Sequence, residues 1–156
     1  MNVERATLAD IDALVQARID YLTEDFGGLD ASDEALLRER LPEYFRARLD
    51  REIFCYGIRE GDVMAACAFL LVVEKPMSPA FRNGKTGIVL NVYTRREFRR
   101  RGYGRAVMEA LLADAERMRL SGIELKATRD GARLYQSLGF ADEVSKYRRM
   151  KIDLAE

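Results

Sequence analysis

The chain has 156 residues, of which 48% are hydrophobic and 33% charged, enough for one domain with one core. Lys+Arg and Asp+Glu are equal at 26 each, which counts against a nucleic-acid-binding domain, since such domains are usually basic overall. There is no histidine, which excludes Ser-His and Cys-His nucleophiles, a histidine base and most zinc sites.

In chain order, "NVERAT" reads as a short first strand. Thr7 and Asp10 form a capping box with Asp in place of Glu. A helix from about Leu8 to Glu24 follows, with Ile11, Leu14, Val15, Ile19 and Leu22 at helical spacing. "GGLDAS" breaks it. Ser32 is the expected N-cap of a second helix carrying Leu36, Leu37, Leu41, Tyr44, Phe45 and Leu49, and Pro42 should kink or split that helix. "IFCYGIR" and "VMAACAFLLVV" form an antiparallel hairpin about Gly61. Cys55 and Cys67 flank that turn at equal distances. They read as small apolar residues on half-buried strands, with a cross-strand disulfide as the alternative.

"EKPMSPAFRNGKT" is a loop, and "GIVLNVYT" (Gly87 to Thr94) is a fourth strand. An Arg/Gly loop leads into a helix from Tyr103 to about Arg119. "GIELKAT" (Gly122 to Thr128) is a fifth strand, and "GARLYQSL" is a short helix stopped at Gly139. "FADEVSKYRRMKIDL" supplies one or two closing strands. The expected fold is α/β bordering on α+β. Its mixed sheet is mostly antiparallel with strands four and five parallel, helices cover both faces, and residues 1–156 form a single domain. No apolar run approaches a membrane span, and "MNVERATLADID" is charged where a signal peptide is apolar, so a cytoplasmic location is expected.

Six arginines crowd "TRREFRRRGYGRAVMEALL", Thr94 to Leu112. The stretch Arg99, Arg100, Arg101, Gly102, Tyr103, Gly104 lies between a strand and a helix start. The first helical N–H groups have no intrahelical partner, and the helix dipole adds positive charge there. Glycine lets a ligand approach the backbone, so the loop is a cradle for an anion such as a diphosphate. A solvated basic loop that touches nucleic acid is the competing reading, but it usually requires a wider basic face.

Two motifs carry a family resemblance. "VYTRREFRRRGYGRAVMEALL" resembles the acetyl-CoA-binding motif of the GCN5-related N-acetyltransferases, and "GARLYQSLGF" (Gly131 to Phe140) resembles the family's second signature. The resemblance implies acetyl-CoA as donor, bound where strands four and five splay. Its pantetheine arm would lie along Val92, Tyr93 and Thr94, and its diphosphate over the amides of Arg99 to Gly104. Arg95, Arg96 and Arg100 would be left to the ribose phosphate or to solvent. Tyr135 takes the family position of the general acid: a phenol, with a reference pKa of ~10, keeps its proton for a departing thiolate. Thr128 stands where many members carry Asn on the cofactor arm, and Arg96 where many carry Pro.

Asn91, in the middle of strand four, cannot act as a base but can orient a water or the acceptor; alternation puts it on one side with Val89 and Tyr93. A strand-four N–H, of Val92 or Tyr93, would stabilise the oxyanion. Asp20, Glu24, Asp25 and Glu74 are candidate bases, each competing with a plain role as a solvated acid. The acidic run Asp20, Glu24, Asp25, Asp30, Asp33 and Glu34 either attracts a cation or solvates a surface. The expected activity is acetyl transfer to a small-molecule or peptide amine acceptor, with no metal, nucleic acid or membrane partner. The Lys75 to Thr86 loop and the closing strands offer surfaces for a homodimer. A CoA-binding sensor without turnover is the alternative.

Overall fold

A computed structural model describes residues 1–155. Two compact units make up the chain, Met1–Lys126 and the residues from Ala127 on. The first contains a five-stranded sheet in the order β1 (Glu4–Arg5), β2 (Ile53–Glu60), β3 (Val63–Glu74), β4 (Lys85–Thr94) and β5 (Ile123–Glu124). The first three pairings are antiparallel and β4–β5 is parallel. That parallel pair follows from the long crossover through helix α3 (Tyr103–Arg117), which a hairpin could not replace.

The Thr7–Asp10 capping box is present: the Thr7 amide donates to Asp10 Oδ2 at 2.8 Å and the Thr7 hydroxyl accepts from Ala9 at 3.3 Å. It opens a 3₁₀ turn that runs into α1 (Ile11–Asp25), whose buried Ile11, Leu14, Val15 and Ile19 form one stripe. Helix α2 (Ala31–Arg48) starts at Asp30, not Ser32, because Asp30 already holds the extended backbone of an N-cap. Pro42 does not split it. Phe45 anchors the last turns, meeting Phe69 edge-to-face at 5.9 Å.

α1 and α2 cover one face of the sheet, where Phe45, Ile53, Cys55, Cys67 and Phe69 share a core. On the other face α3 buries Val107, Met108, Leu111 and Ala115, and Tyr56 reaches across to Asp114 at 2.8 Å.

The β2–β3 hairpin turns at Gly61, with φ +63°. A register shift at Ile58/Arg59 sets Cys55 opposite Phe69 and Cys67 opposite Gly57. The two thiols are therefore not opposed; both are free and buried.

In the second unit, α4 (Ala132–Ser137) ends at Gly139, whose φ of +104° is the left-handed stop glycine provides. The closing strands are not formed: no helix or strand follows Ser137 among the described residues. Met150, Ile152 and Leu154 alternate with polar residues, but they stay exposed, as do Val144 and Tyr147. Alternation without a paired neighbour does not make a strand. Fifth-strand character is likewise confined to Ile123–Glu124, the only residues of that segment that pair with β4.

Candidate active site

Strand β4 changes character along its length. Gly87 and Ile88 pair with Ile123 and Glu124, and beyond Ile88 no strand among the described residues covers that edge. From Val89 to Thr94 the strand is held by β3 alone. Within this stretch Leu90 lies opposite Phe69 and Tyr93 opposite Cys67, so two residues, Asn91 and Val92, oppose one, Ala68. This is a β-bulge, and Asn91 accommodates it at φ +55°, a left-handed conformation that Asn tolerates better than most side chains.

The bulge breaks the expected alternation. Val89 pairs with Leu70 on the α3 face, whereas Tyr93 pairs with Cys67 on the α1 face. The Asn91 side chain is buried at 3% exposure. It donates to the Ala17 carbonyl at 3.4 Å and accepts from Arg18 Nη1 at 3.2 Å. Burial lowers the Arg18 pKa. Cys67 lies against the same bulge, and burial pushes its thiol up to about 12, against a hydrogen bond from Asn91. The Tyr93 amide faces that sulfur as well. The amide of Val92, one residue earlier in the bulge, is thereby the stronger donor candidate toward the open edge.

Past Thr94 a 3₁₀ turn, Arg96–Phe98, leads into the arginine loop. Arg100 (φ +64°) and Gly102 (φ +82°) both take left-handed backbone, two residues apart. A backbone of this kind curls successive N–H groups onto one concave side, a nest for an anion. The first helical bond of α3 runs from the Ala106 amide to the Gly102 carbonyl at 3.1 Å, so the Tyr103 and Gly104 amides lie ahead of it. A Cβ built on Gly102 would come no nearer than 3.8 Å to Met1 Cε, so the glycine serves its left-handed backbone and not a crowded site.

The six arginines divide. Arg95 pairs with Glu97 (2.9 Å), Arg99 with Glu24 (2.7 Å) and Arg105 with Glu109 (3.5 Å). Arg96, Arg100 and Arg101 have no carboxylate at ion-pair distance among the described residues. Arg99 also donates from Nε to the Thr94 carbonyl (2.8 Å) and lies over the Tyr93 ring, and its amide is bonded to the Arg96 carbonyl (3.3 Å). It ties the loop to the end of α1. Tyr103 stacks near Phe98 and its hydroxyl donates to Glu60, which fixes the other side of the loop.

Beside the end of β4 lies a cavity of about 410 Å³, walled by Asp20, Glu24, Tyr93 and Arg96 around the Gly27–Gly28 turn. A hydrogen bond from Arg99 holds the Glu24 carboxyl below its ordinary range. Burial raises the Tyr93 phenol, with Glu24 and Asp20 nearby adding to the shift, so Tyr93 keeps its proton. Sequence reasoning placed Asp20 and Glu24 toward an acceptor but missed Arg96 as a wall and the bulge at Asn91. An Asn inside a β-branched strand was the available signal for the second.

In the second unit, Thr128 Oγ1 accepts the Gly131 amide at 3.1 Å, and the Tyr135 amide donates to the Gly131 carbonyl at 3.3 Å. The Tyr135 ring meets Phe140 edge-to-face at 6.0 Å. A side chain at 131 would press within 3.1 Å of the Tyr135 ring and 3.2 Å of Thr128 Oγ1, so Gly131 lets the two approach.

The acetyltransferase (GNAT) family model matches residues 13–140. The chain belongs to the GNAT acetyltransferase family. A crystal structure, with acetyl-CoA, of a predicted acetyltransferase from Clostridium acetobutylicum is 24% identical to this GNAT chain, with a TM-score of 0.80, and the match covers 96% of this chain and 95% of that one. A GCN5-related N-acetyltransferase from Ralstonia eutropha JMP134 is 26% identical, with a TM-score of 0.74 and coverage of 96% and 97%. An acetyltransferase from Trypanosoma brucei is 18% identical, with a TM-score of 0.70 and coverage of 98% and 99%. No curated protein matches. Among the described residues of this acetyltransferase no group of His, Cys, Asp or Glu is arranged to hold a metal ion, and no helix is long and apolar enough to cross a membrane.

Proposed function

We propose that this GNAT acetyltransferase moves an acetyl group from acetyl-CoA to an amine acceptor by direct attack in a ternary complex. The observation that carries the proposal is the course of β4: an edge with no partner strand past Ile88 among the described residues leads, through one 3₁₀ turn, into a left-handed loop ahead of a helix start. An extended acyl carrier with a diphosphate requires that sequence of features, namely strand-edge hydrogen-bonding groups and then an anion nest.

When bound, the coenzyme supplies an activated acetyl thioester. The amides from Arg100 to Gly104, with the side chains of Arg100 and Arg101, would hold the diphosphate, and Arg99 and Tyr103 would hold the loop in shape. The main chain of Val92, Tyr93 and Thr94 would receive the arm. Thr128 accepts one bond from Gly131 and has its hydroxyl proton left to donate; the resemblance assigns it to the cofactor arm, where many members of the family carry Asn. The Val92 amide would donate to the acetyl oxygen as negative charge builds there, which is usually a large part of acyl-transfer catalysis. Asn91 is a positioning residue: by bonding Ala17 and Arg18 it keeps the bulge in place. The resemblance of "GARLYQSLGF" to the family's second signature gives Tyr135 the role of proton donor to the departing sulfur. Asp20, on the cavity wall, would orient the acceptor's ammonium and pass its proton to water.

The test is free-thiol release from acetyl-CoA across a panel of amines, run beside calorimetric titration with acetyl-CoA. Binding accompanied by amine-dependent release is expected. Binding with no release from any amine would make the protein a sensor, and no binding would remove the proposal.

A further inference from the structure

The cavity at the end of β4 has an uneven charge inventory. Glu24 is committed, because Arg99 pairs with it at 2.7 Å and the Tyr93 hydroxyl also donates to it. Asp20 is less engaged: its one side-chain bond is from the neutral amide of Gln16, at 2.8 Å, and its charged neighbour Arg95, which is ion-paired with Glu97, acts on it from beyond ion-pair distance. In the same lining Arg96 has a guanidinium with no carboxylate at ion-pair distance among the described residues, and Glu24 feels it only from farther off. The walls therefore hold one carboxylate, Asp20, and one guanidinium, Arg96, that belong to no close ion pair among the described residues. A ligand that satisfies both has an ammonium and an anionic group on the same small molecule.

A second cavity, about 440 Å³, meets the first at Gly28. Its walls are apolar, with Leu22, Phe26, Leu29, Leu36 and Leu37 facing it, and Phe26 is 70% exposed. Ligand cavities are lined mostly by apolar side chains, and Phe26 and Leu36 carry this lining out to the surface. Asp30 and Asp33, which also line it, disfavour a negatively charged occupant.

Building on the acetyltransferase reading above, we infer that the acceptor is a free amino acid, or an equivalent aminocarboxylate, with a neutral apolar side chain. Its ammonium lies at Asp20, its carboxylate at Arg96, and its side chain past Gly28 among the leucines. In the reaction the amine nitrogen bonds to the acetyl carbon and the carbon–sulfur bond breaks. The ammonium first gives one proton to water at the Asp20 wall. After attack the nitrogen loses a second, the sulfur takes one from Tyr135, and the second nitrogen proton returns through water to the Tyr135 phenolate, so that amide, thiol and one released proton are the products. Polyamines place a second cation near Arg96, and peptide N-termini lack the carboxylate, so both are poor fits.

The test uses the full-length protein, acetyl-CoA and a matched acceptor set: leucine, leucinamide, 3-methylbutylamine, aspartate and spermidine, with thiol release as the readout. Leucine should exceed leucinamide and 3-methylbutylamine in kcat/KM by about fivefold, the scale of one partly exposed ion pair, and should exceed aspartate and spermidine by more. In Arg96→Gln the ratio of leucine to leucinamide should fall to about one. Equal or better use of leucinamide, aspartate or spermidine by the wild-type protein overturns the inference, and that comparison holds whether or not the variant folds. Acetyl-CoA binding with turnover of some other amine and none of leucine overturns this inference and leaves the acetyltransferase reading standing. Failure to bind acetyl-CoA at all removes both.

Discussion

At its start β4 is clamped from both sides. Gly87 and Ile88 pair with Val72 and Leu71 of β3 and with Ile123 and Glu124 of β5, and a Cβ on Gly87 would fall 2.8 Å from Leu70 Cδ1 and 3.0 Å from Leu120 Cδ1. At its end the strand is held on one side, kinked by a bulge, and followed by a loop with two left-handed residues. One strand thus carries a packed half and an open half. The packed half fixes the position of the open half, and the open half leaves its main-chain groups for a ligand. The polar side chain between them, Asn91, is spent on α1 and takes no place in the open edge.

Perturbations of the two halves should separate, and the largest effect is expected in the proposed chemistry. Tyr135→Phe should lower kcat by about 100-fold with acetyl-CoA affinity retained, measured by steady-state kinetics and calorimetry. An unchanged kcat would leave the open edge and its amides as the whole of the catalysis. In the packed half, Gly87→Ala should cost about 1–3 kcal/mol of stability through overpacking, read in urea denaturation, with the Kd for acetyl-CoA unchanged. In the open half, Gly102→Ala should strain the backbone by about 1–2 kcal/mol and weaken acetyl-CoA by about tenfold, because the added methyl meets no crowding and acts through φ alone. If Gly87→Ala weakened the coenzyme more than Gly102→Ala did, the division of β4 would be wrong.

The smallest effect concerns the tie between α1 and the loop. The hydrogen bond from Arg99 holds the Glu24 carboxyl below its ordinary value. Its contribution to stability is complete above the ordinary carboxylate range and is lost as the pH falls through the lowered value. Glu24→Gln should therefore cost less than about 1 kcal/mol at neutral pH, since the pair is partly exposed. Wild type and variant should converge in acid, as thermal melts across pH would show.

Local chemistry was legible in the sequence wherever it is written in adjacent residues. The Thr7–Asp10 box, the Gly61 turn, the strand–loop–helix from Gly87 to Arg117 and the Gly139 stop all follow from short-range rules. The bulge was not legible, because its cause is a mismatch between two strands: two β4 residues against Ala68 reverse the side to which Val89 points. Arg96 was read as a spare coenzyme contact, since only the folded chain shows that it walls a cavity with Asp20, 76 positions earlier in the numbering. The expected closing strands failed for the converse reason: a good local pattern from Phe140 on has no pairing partner.

The most direct measurement is amide hydrogen exchange with and without acetyl-CoA. New protection is expected at Val89 to Thr94 and at Arg100 to Gly104, with Lys85 to Ile88, already paired, left as it was. Protection that spares the arginine loop and the open edge, or that appears only elsewhere in the chain, would contradict this placement of the coenzyme.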